Sequence, residues 1–292
     1  MRRGITLLEV VIILLVGVVA VGVGVMLITR NREYALREQC KLNLKRIGEG
    51  IQAYHDASSV NEAARRLPPS RIAAGYATWA VLLAPYLTKE HVLQKWDEKK
   101  GYFEQADDVR HARLVFFFCP TRHRADTLSR AGDLDAAKTH FPGGLGDYAC
   151  VAGDGSAAHD WTGPSANGPF VMAEVTECKN HVIKWQSRTS LASLTRGLSY
   201  TLLVGEKHVP ADQQGEVKFG DGSLYNGQHP ASFSRVAGPG FPIAGSIDAP
   251  FNNNFGSYHS RVCMFLLADM SARVYSADTN EIVLGQMARR GE

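Results

Sequence analysis

The chain has 292 residues, enough for one sizeable domain or two small ones. With 45% hydrophobic and 21% charged residues it has the composition of a chain that fills a core. Its 32 basic and 29 acidic residues leave a net charge of only +3, and no Lys/Arg-rich block stands out, which argues against nucleic acid as a partner.

In chain order, the first element is an apolar run. Residues Ile5 to Thr29 carry a single charge, Glu9. As a helix at 1.5 Å per residue this run measures roughly 37 Å, enough to cross a hydrocarbon core of about 30 Å with some tilt. Gly17, Gly22 and Gly24 fall inside it; glycine weakens a helix in water but is commoner in membrane helices. Met1, Arg2, Arg3 and Gly4 precede it, and the arginine pair is expected to stay cytoplasmic. Arg30 and Arg32 on the far side weaken that orientation on charge alone. An ordinary secretory signal has a shorter apolar region and a small-residue cleavage site.

Beyond the run, Leu36, Cys40, Leu44, Ile47, Ile51 and Tyr54 recur at spacings of three and four, one apolar stripe along a helix. No Pro or Gly breaks the chain near Thr29 to Arg32, so one helix is expected from Ile5 to about Tyr54. It ends before Leu67-Pro68-Pro69. Further along, Thr78 to Leu87 reads as a helix or buried segment, and Leu114 to Cys119 (LVFFFC) as a buried strand. Further strands are expected at Gly146 to Ala152, Pro169 to Met172, Tyr200 to Glu206, Val262 to Ala268 and Ala272 to Ser276. Long Gly-, Asn- and Pro-rich loops separate them, above all 207–258.

The short basic leader, Gly4 and the following Ile5-Thr6-Leu7-Leu8-Glu9 resemble the type IV prepilin signal. The resemblance implies cleavage after Gly4 by prepilin peptidase, methylation of the new N-terminus Ile5, and retention of the apolar helix as the anchor. It also implies the type IV pilin-like fold: α+β, a long N-terminal helix packed on an antiparallel sheet with long loops. The expected division is leader 1–4, transmembrane helix 5–29, amphipathic continuation 30–66 and an extracytoplasmic domain 67–292. In pilins a glutamate at the position of Glu9 neutralises the α-amino group of its own or a neighbouring subunit during assembly. The alternative is a carboxylate near the membrane surface that snorkels, since a charge within the bilayer costs at least a few kcal/mol.

Four stretches together resemble a large bacterial family of prepilin-like proteins whose body is known only as a domain of unknown function. They are REQCKLNLKRIGEGIQAYHD at 37–56; FFCPTRH at 117–123 with DYACVAGD at 147–154; SLASLTRGLSYTLLVGEKH at 190–208; and NFGSYHSRVCMFLLADMSARVYS at 254–276. That family carries a histidine, nine residues, then Asp-Gly. His259 and Asp269 fit, but Met270 replaces the glycine, and Arg261-Val262 stands where the family often has glycine. Met disfavours the positive φ of a tight Asp-Gly hairpin, so a turn of different type or length is expected.

Cys40, Cys119, Cys150, Cys178 and Cys263 are odd in number, so at least one thiol is expected to stay free or to pair between chains. Cys40 and Cys119 both lie in the family stretches, and a helix-to-strand disulfide between them is the expected pairing in an oxidising space; the alternative is that several of the cysteines are simply buried small apolar residues. Cys119 and His123 alone make a poor zinc pair, and no metal or other cofactor is expected. Asp221, Asp248 and Asn252 to Asn254 offer oxygen ligands for calcium but at no compact spacing. Glu206-Lys207-His208 reads as a charged loop start after a buried strand. No Gly-x-Ser-x-Gly, Walker or His-Glu-x-x-His motif occurs, and no catalytic residues or enzymatic activity are expected.

The expected function is therefore that of a membrane-anchored pilin- or pseudopilin-like structural subunit in the cytoplasmic (inner) membrane, N-terminus inside, body in the periplasm or an extracellular filament. Its expected partners are the lipid bilayer, prepilin peptidase, and copies of itself or other pilin-like subunits. The alternative is an exported, non-assembling anchored protein whose loop-rich body binds a ligand or glycan, with Trp161 and Trp185 as candidate stacking residues.

Overall fold

A computed structural model describes residues 6–58, 65–88, 92–122, 124–178 and 181–291, with the side chain of Cys178 excepted. The proposed cleavage and methylation positions Gly4 and Ile5, and also His123, lie outside the described residues. The backbone divides into two units, one ending at Gln39 and one running from Cys40 onward.

Helix α1 spans Leu7–Ala57 without a break, as the absence of a mid-run breaker predicts. Its first half is apolar on all sides: the large apolar side chains from Leu7 to Ile28 are 43–83% exposed. This is one helix long and apolar enough to cross a membrane, a candidate single span. At its start Thr6 and Glu9 satisfy each other's neighbours. The Thr6 N–H and hydroxyl donate to Glu9 Oε2 at 2.7 and 2.9 Å, and the Glu9 N–H donates to Thr6 Oγ1 at 3.3 Å, the reciprocal pattern of a capping box.

In the second unit the remaining turns of α1 bury Cys40, Leu44, Ile47 and Ile51, the predicted stripe. Two glycines permit close packing here. A Cβ at Gly48 would stand 3.0 Å from the Leu266 side chain, and one at Gly50 would stand 2.5 Å from Leu87. In a helix interior such residues cost about 1 kcal/mol each relative to Ala, a cost offset here by close approach of α1 to the core.

Among the described residues seven strands follow: β1 (Tyr148–Gly153), β2 (Glu174–Cys178), β3 (His181–Gln186), β4 (Leu202–Glu206), β5 (Ser234–Val236), β6 (Val262–Leu267) and β7 (Ala272–Ser276). Five form one sheet in the order β5-β1-β4-β6-β7, while β2 and β3 form a separate hairpin. The sheet is mixed rather than antiparallel, because β5 joins the edge of β1 in parallel. Period-two alternation sorts the sheet side chains into two cores. Tyr148, Cys150, Met264 and Leu266 pack with α1 and with α2 (Trp79–Leu87). Ala149, Val151, Phe265 and Leu267 pack instead with the C-terminal helix. A register irregularity between Leu202 and Val204 puts Leu202 in one core and both Leu203 and Val204 in the other. The helices after α2 are the single-turn α3 (Asp107–Arg110) and α4 (Pro230–Phe233), and α5 (Glu281–Ala288). Asn280 caps α5, its side-chain oxygen accepting from the N–H groups of Ile282 and Val283.

Two expected strands are corrected. Leu114 to Cys119 is not a strand but a tight turn at Val115–Phe117, closed by the Phe117 N–H on the Leu114 carbonyl. Its aromatic run fills the core, with Phe117 edge-on to Trp79 at 5.5 Å, and burial alone does not separate strand from turn in so short a run. Pro169 to Met172 is extended but joins no ladder. Val171 accepts from the Ser70 N–H and Phe170 donates to the Val151 carbonyl of β1, isolated bonds to a loop on one side and a strand on the other.

The β6–β7 turn corrects a third expectation. Met270 adopts φ +63° in place of a different turn, and Arg261 adopts φ +52°. Both residues thus hold a left-handed conformation with a side chain present, which costs on the order of 1 kcal/mol apiece.

Candidate functional site

The last residue of β4 and the one after it mark the centre of the body's buried polar chemistry. Backbone alternation sends consecutive side chains to opposite sides. Glu206 points toward α1 and Lys207 points away from it, and both are fully buried.

On the α1 side, Glu206 meets Cys40, Cys119 and His259. Cys40 lies on the body portion of α1, Cys119 just past the Val115–Phe117 turn, and His259 on the loop entering β6. The two sulfurs are 3.1 Å apart. Both cysteines are free thiols, this separation being well beyond the ~2.05 Å of a disulfide bond. His259 Nε2 stands 3.4 Å from Cys40 Sγ and 3.7 Å from Cys119 Sγ, and 3.8 Å from Glu206 Oε1. One donor atom from each of the four residues lies within 4.8 Å of the others, and all four residues are buried.

Local bonds hold each member in place. The Cys119 N–H donates to Asp147 Oδ2 at 2.7 Å. The His259 N–H donates to Ser257 Oγ at 3.0 Å, and the Thr121 hydroxyl lies 3.3 Å from His259 Nδ1. Glu206 Oε2 accepts from the Met264 N–H at 2.9 Å, while Oε1 makes no hydrogen bond of ordinary geometry. Burial pushes the Glu206 carboxyl upward, against the pull of His259, the Met264 N–H, the Cys119 thiol and Arg122. The Cys119 thiol is pushed well up by its contact with Cys40, then by burial and the nearby Glu206.

On the other side, Lys207 enters an ion-pair network. Its ammonium lies 3.0 Å from Asp221 Oδ1 and donates to the Ser232 carbonyl at 2.8 Å. Arg124 grips Asp221 through two bonds of 2.6 and 2.8 Å and reaches Asp147 at 2.6 Å. Arg122 pairs with Asp147 at 3.0 Å and also donates to the Lys207 carbonyl. Arg235 donates to the carbonyls of His208 and Gly220 and lies over the Phe251 ring. Burial would raise the Asp221 carboxyl, but Arg124 and Lys207 outweigh it and hold it far below the usual carboxylate range. Burial draws Lys207 down to about 7 despite Asp221, with Arg235 and Arg124 adding to the effect. Asp221 stays ionised, since Arg124 alone already gives it a two-pronged partner.

The predicted site residues therefore part company. Cys40, Cys119 and His259 come together, while Asp269 lies at the other end of β6. There it accepts from the Ser271 N–H at 3.0 Å and faces Arg273. Asp221 is committed to the ion network and Asp248 lies on an exposed loop, so the calcium candidates are not gathered. Sequence reasoning did not find Glu206 as a member of the cysteine cluster. Nor did it find Arg122, Arg124, Asp147 and Arg235 as a network. The available signal was position: charged residues immediately flanking buried runs (FFFC, YACVAG, LLVGE) have nowhere to go but inward.

Two surface features remain. An open cleft of about 950 Å³ is lined by Thr195, Arg196, Tyr200, Arg273, Tyr275 and Met287, among others. Trp185 donates to Glu98 at 3.0 Å and lines a smaller cleft, about 520 Å³, with Tyr54 and Tyr86.

The chain belongs to the family described as "protein of unknown function (DUF1559)", which it matches over residues 29–281. Comparison with curated proteins and with solved structures gives no match.

Proposed function

We propose that the chain is a pilin- or pseudopilin-like structural subunit, cut after Gly4 by prepilin peptidase, methylated at Ile5 and held in the cytoplasmic membrane by residues 5–29. The observation that carries this is α1: 51 unbroken residues whose first half exposes an almost wholly apolar surface, with Glu9 its charge up to Thr29, while its last turns join a folded body. A secretory signal ends where the mature domain begins; this helix continues into it. Glu9 supports the same reading. Its carboxylate turns back to the Thr6 N–H, so it stands at the first turn of the helix. The capping role is a structural reason for Glu9 that needs no assembly, and the two are separable by experiment.

That experiment is N-terminal peptide mass analysis of the protein from its native membrane, with and without prepilin peptidase. A methylated Ile5 N-terminus that disappears without the peptidase is the expected result; a chain retaining Met1 to Gly4 in both overturns the proposal. Glu9→Ala then addresses assembly: it is expected to abolish recovery in sheared filaments while leaving the protein in the membrane.

The second reading, a non-assembling anchored protein that binds a ligand, is favoured by the Tyr200, Tyr275 and Arg196 cleft, a surface suited to stacking and hydrogen bonding. It predicts unchanged anchoring and ligand binding in Glu9→Ala, and loss of binding in Tyr200→Ala.

A further inference from the structure

We propose that Cys40, Cys119, His259 and Glu206 are the four ligands of one divalent transition-metal ion, zinc by the character of the donors, which ties the body portion of α1 to the sheet. This is independent of how the N-terminus is processed.

The donor set is two thiolates, one imidazole and one carboxylate, all ligand types of four-coordinate zinc. A tetrahedral ion with Zn–S of about 2.3 Å and Zn–N or Zn–O of about 2.0 Å separates its donors by roughly 3.3–3.8 Å. The two N···S separations around His259 Nε2, 3.4 and 3.7 Å, fall in that range, while the 3.8 Å from Nε2 to Glu206 Oε1 needs to close by roughly half an ångström. The sulfurs, at 3.1 Å, need to part by roughly half an ångström.

A second observation points to a cation independently of this spacing. Glu206 is fully buried, and its Oε1 faces the cluster without a hydrogen bond of ordinary geometry. A buried carboxylate oxygen left in that state is costly, and a metal ion at the centre of the cluster removes the cost. The surroundings fit as well. The Thr121 hydroxyl lies beside the His259 ring, 3.3 Å from Nδ1 and 3.2 Å from Nε2. Two thiolates and a carboxylate around a divalent ion leave one net negative charge. The adjoining network of Arg122, Arg124, Lys207 and Arg235 against Asp147 and Asp221 holds four cations and two anions. The two clusters thus complement each other across β4. Because the four ligands come from four separate segments, no short sequence motif announces them.

The test uses the full-length chain, extracted in detergent without chelator or reductant. Elemental analysis is expected to give one zinc per chain. Cobalt added to chelator-stripped protein is expected to produce thiolate-to-cobalt charge-transfer absorption, lost in Cys40→Ser. Glu206→Gln keeps the side-chain shape and is expected to weaken zinc binding about tenfold or more. Peptide mapping that finds Cys40 and Cys119 joined as a disulfide in the freshly isolated protein overturns the proposal. So does zinc binding of unchanged affinity in both Glu206→Gln and Cys40→Ser.

Discussion

Glu206 and Lys207 are neighbours in sequence and equally buried, yet their surroundings obey opposite rules. On the Lys207 side every carboxylate is over-supplied. Asp221 takes Arg124, Lys207 and the Gly215 N–H, and Asp147 takes Arg122, Arg124 and the Cys119 N–H. On the Glu206 side a carboxylate of the same depth has one hydrogen bond on one oxygen. Breaking a buried charge that is fully paired is severe, whereas the half-paired Glu206 is the carboxylate that the proposed ion would complete. The ion network therefore explains how the loop region 207–258 stays folded around a small sheet. The cysteine cluster has no comparable claim to be scaffold without an ion.

The largest expected effect follows on the network side. Asp221→Ala strands Arg124 and Lys207 in the interior and is expected to cost about 3–5 kcal/mol in thermal or denaturant unfolding of the detergent-solubilised chain. The sign with pH follows from the depressed Asp221 carboxyl. Its contribution is fully present above the ordinary carboxylate value of about 3.9 and is lost only as pH falls below it toward the folded value. Asp221→Asn is expected to flatten this acid limb. A loss below about 1 kcal/mol would mean the network is incidental and the contrast with Glu206 is false.

On the other side the expected effect is smaller, with the opposite dependence on metal. In chelator-stripped protein Glu206→Gln replaces a half-satisfied carboxylate by a neutral amide of the same shape. Stability is expected to stay within about 1 kcal/mol of the parent. With zinc present the parent is expected to gain stability that the variant gains less of, since only binding to the folded state stabilises. A Glu206→Gln variant that is destabilised by several kcal/mol in chelator would make Glu206 part of the scaffold, like Asp221.

What was legible in the sequence divides along a similar line. The body portion of α1 follows from its three- and four-residue spacing, and α2 and strands β1, β4, β6 and β7 follow from short apolar runs bounded by turn residues. The β2–β3 hairpin was not legible: its outward face is charged and its burial is slight, so alternation is weak. Strand β5 is three residues long and exists only because β1 offers a parallel edge. In the candidate site, Cys40, Cys119 and His259 stood out individually through the family stretches. Their meeting with Glu206 is tertiary and spans from residue 40 to residue 259, beyond any spacing rule.

The smallest expected effect sharpens the contrast by leaving both clusters alone. Arg261 holds a left-handed backbone, φ +52°, two residues beyond His259. Its guanidinium pairs with Asp278, but both partners are more than half exposed, so the pair contributes about 0–1 kcal/mol. A non-glycine residue in this conformation costs on the order of 1–2 kcal/mol. Arg261→Gly relieves that strain, loses the weak pair and adds unfolded-state freedom, which offsets part of the gain. The net expectation is a stabilisation of about 0.5 kcal/mol in unfolding measurements, with zinc stoichiometry unchanged. Altered zinc binding in this variant would mean that the strained loop, not the four side chains alone, sets the geometry around His259.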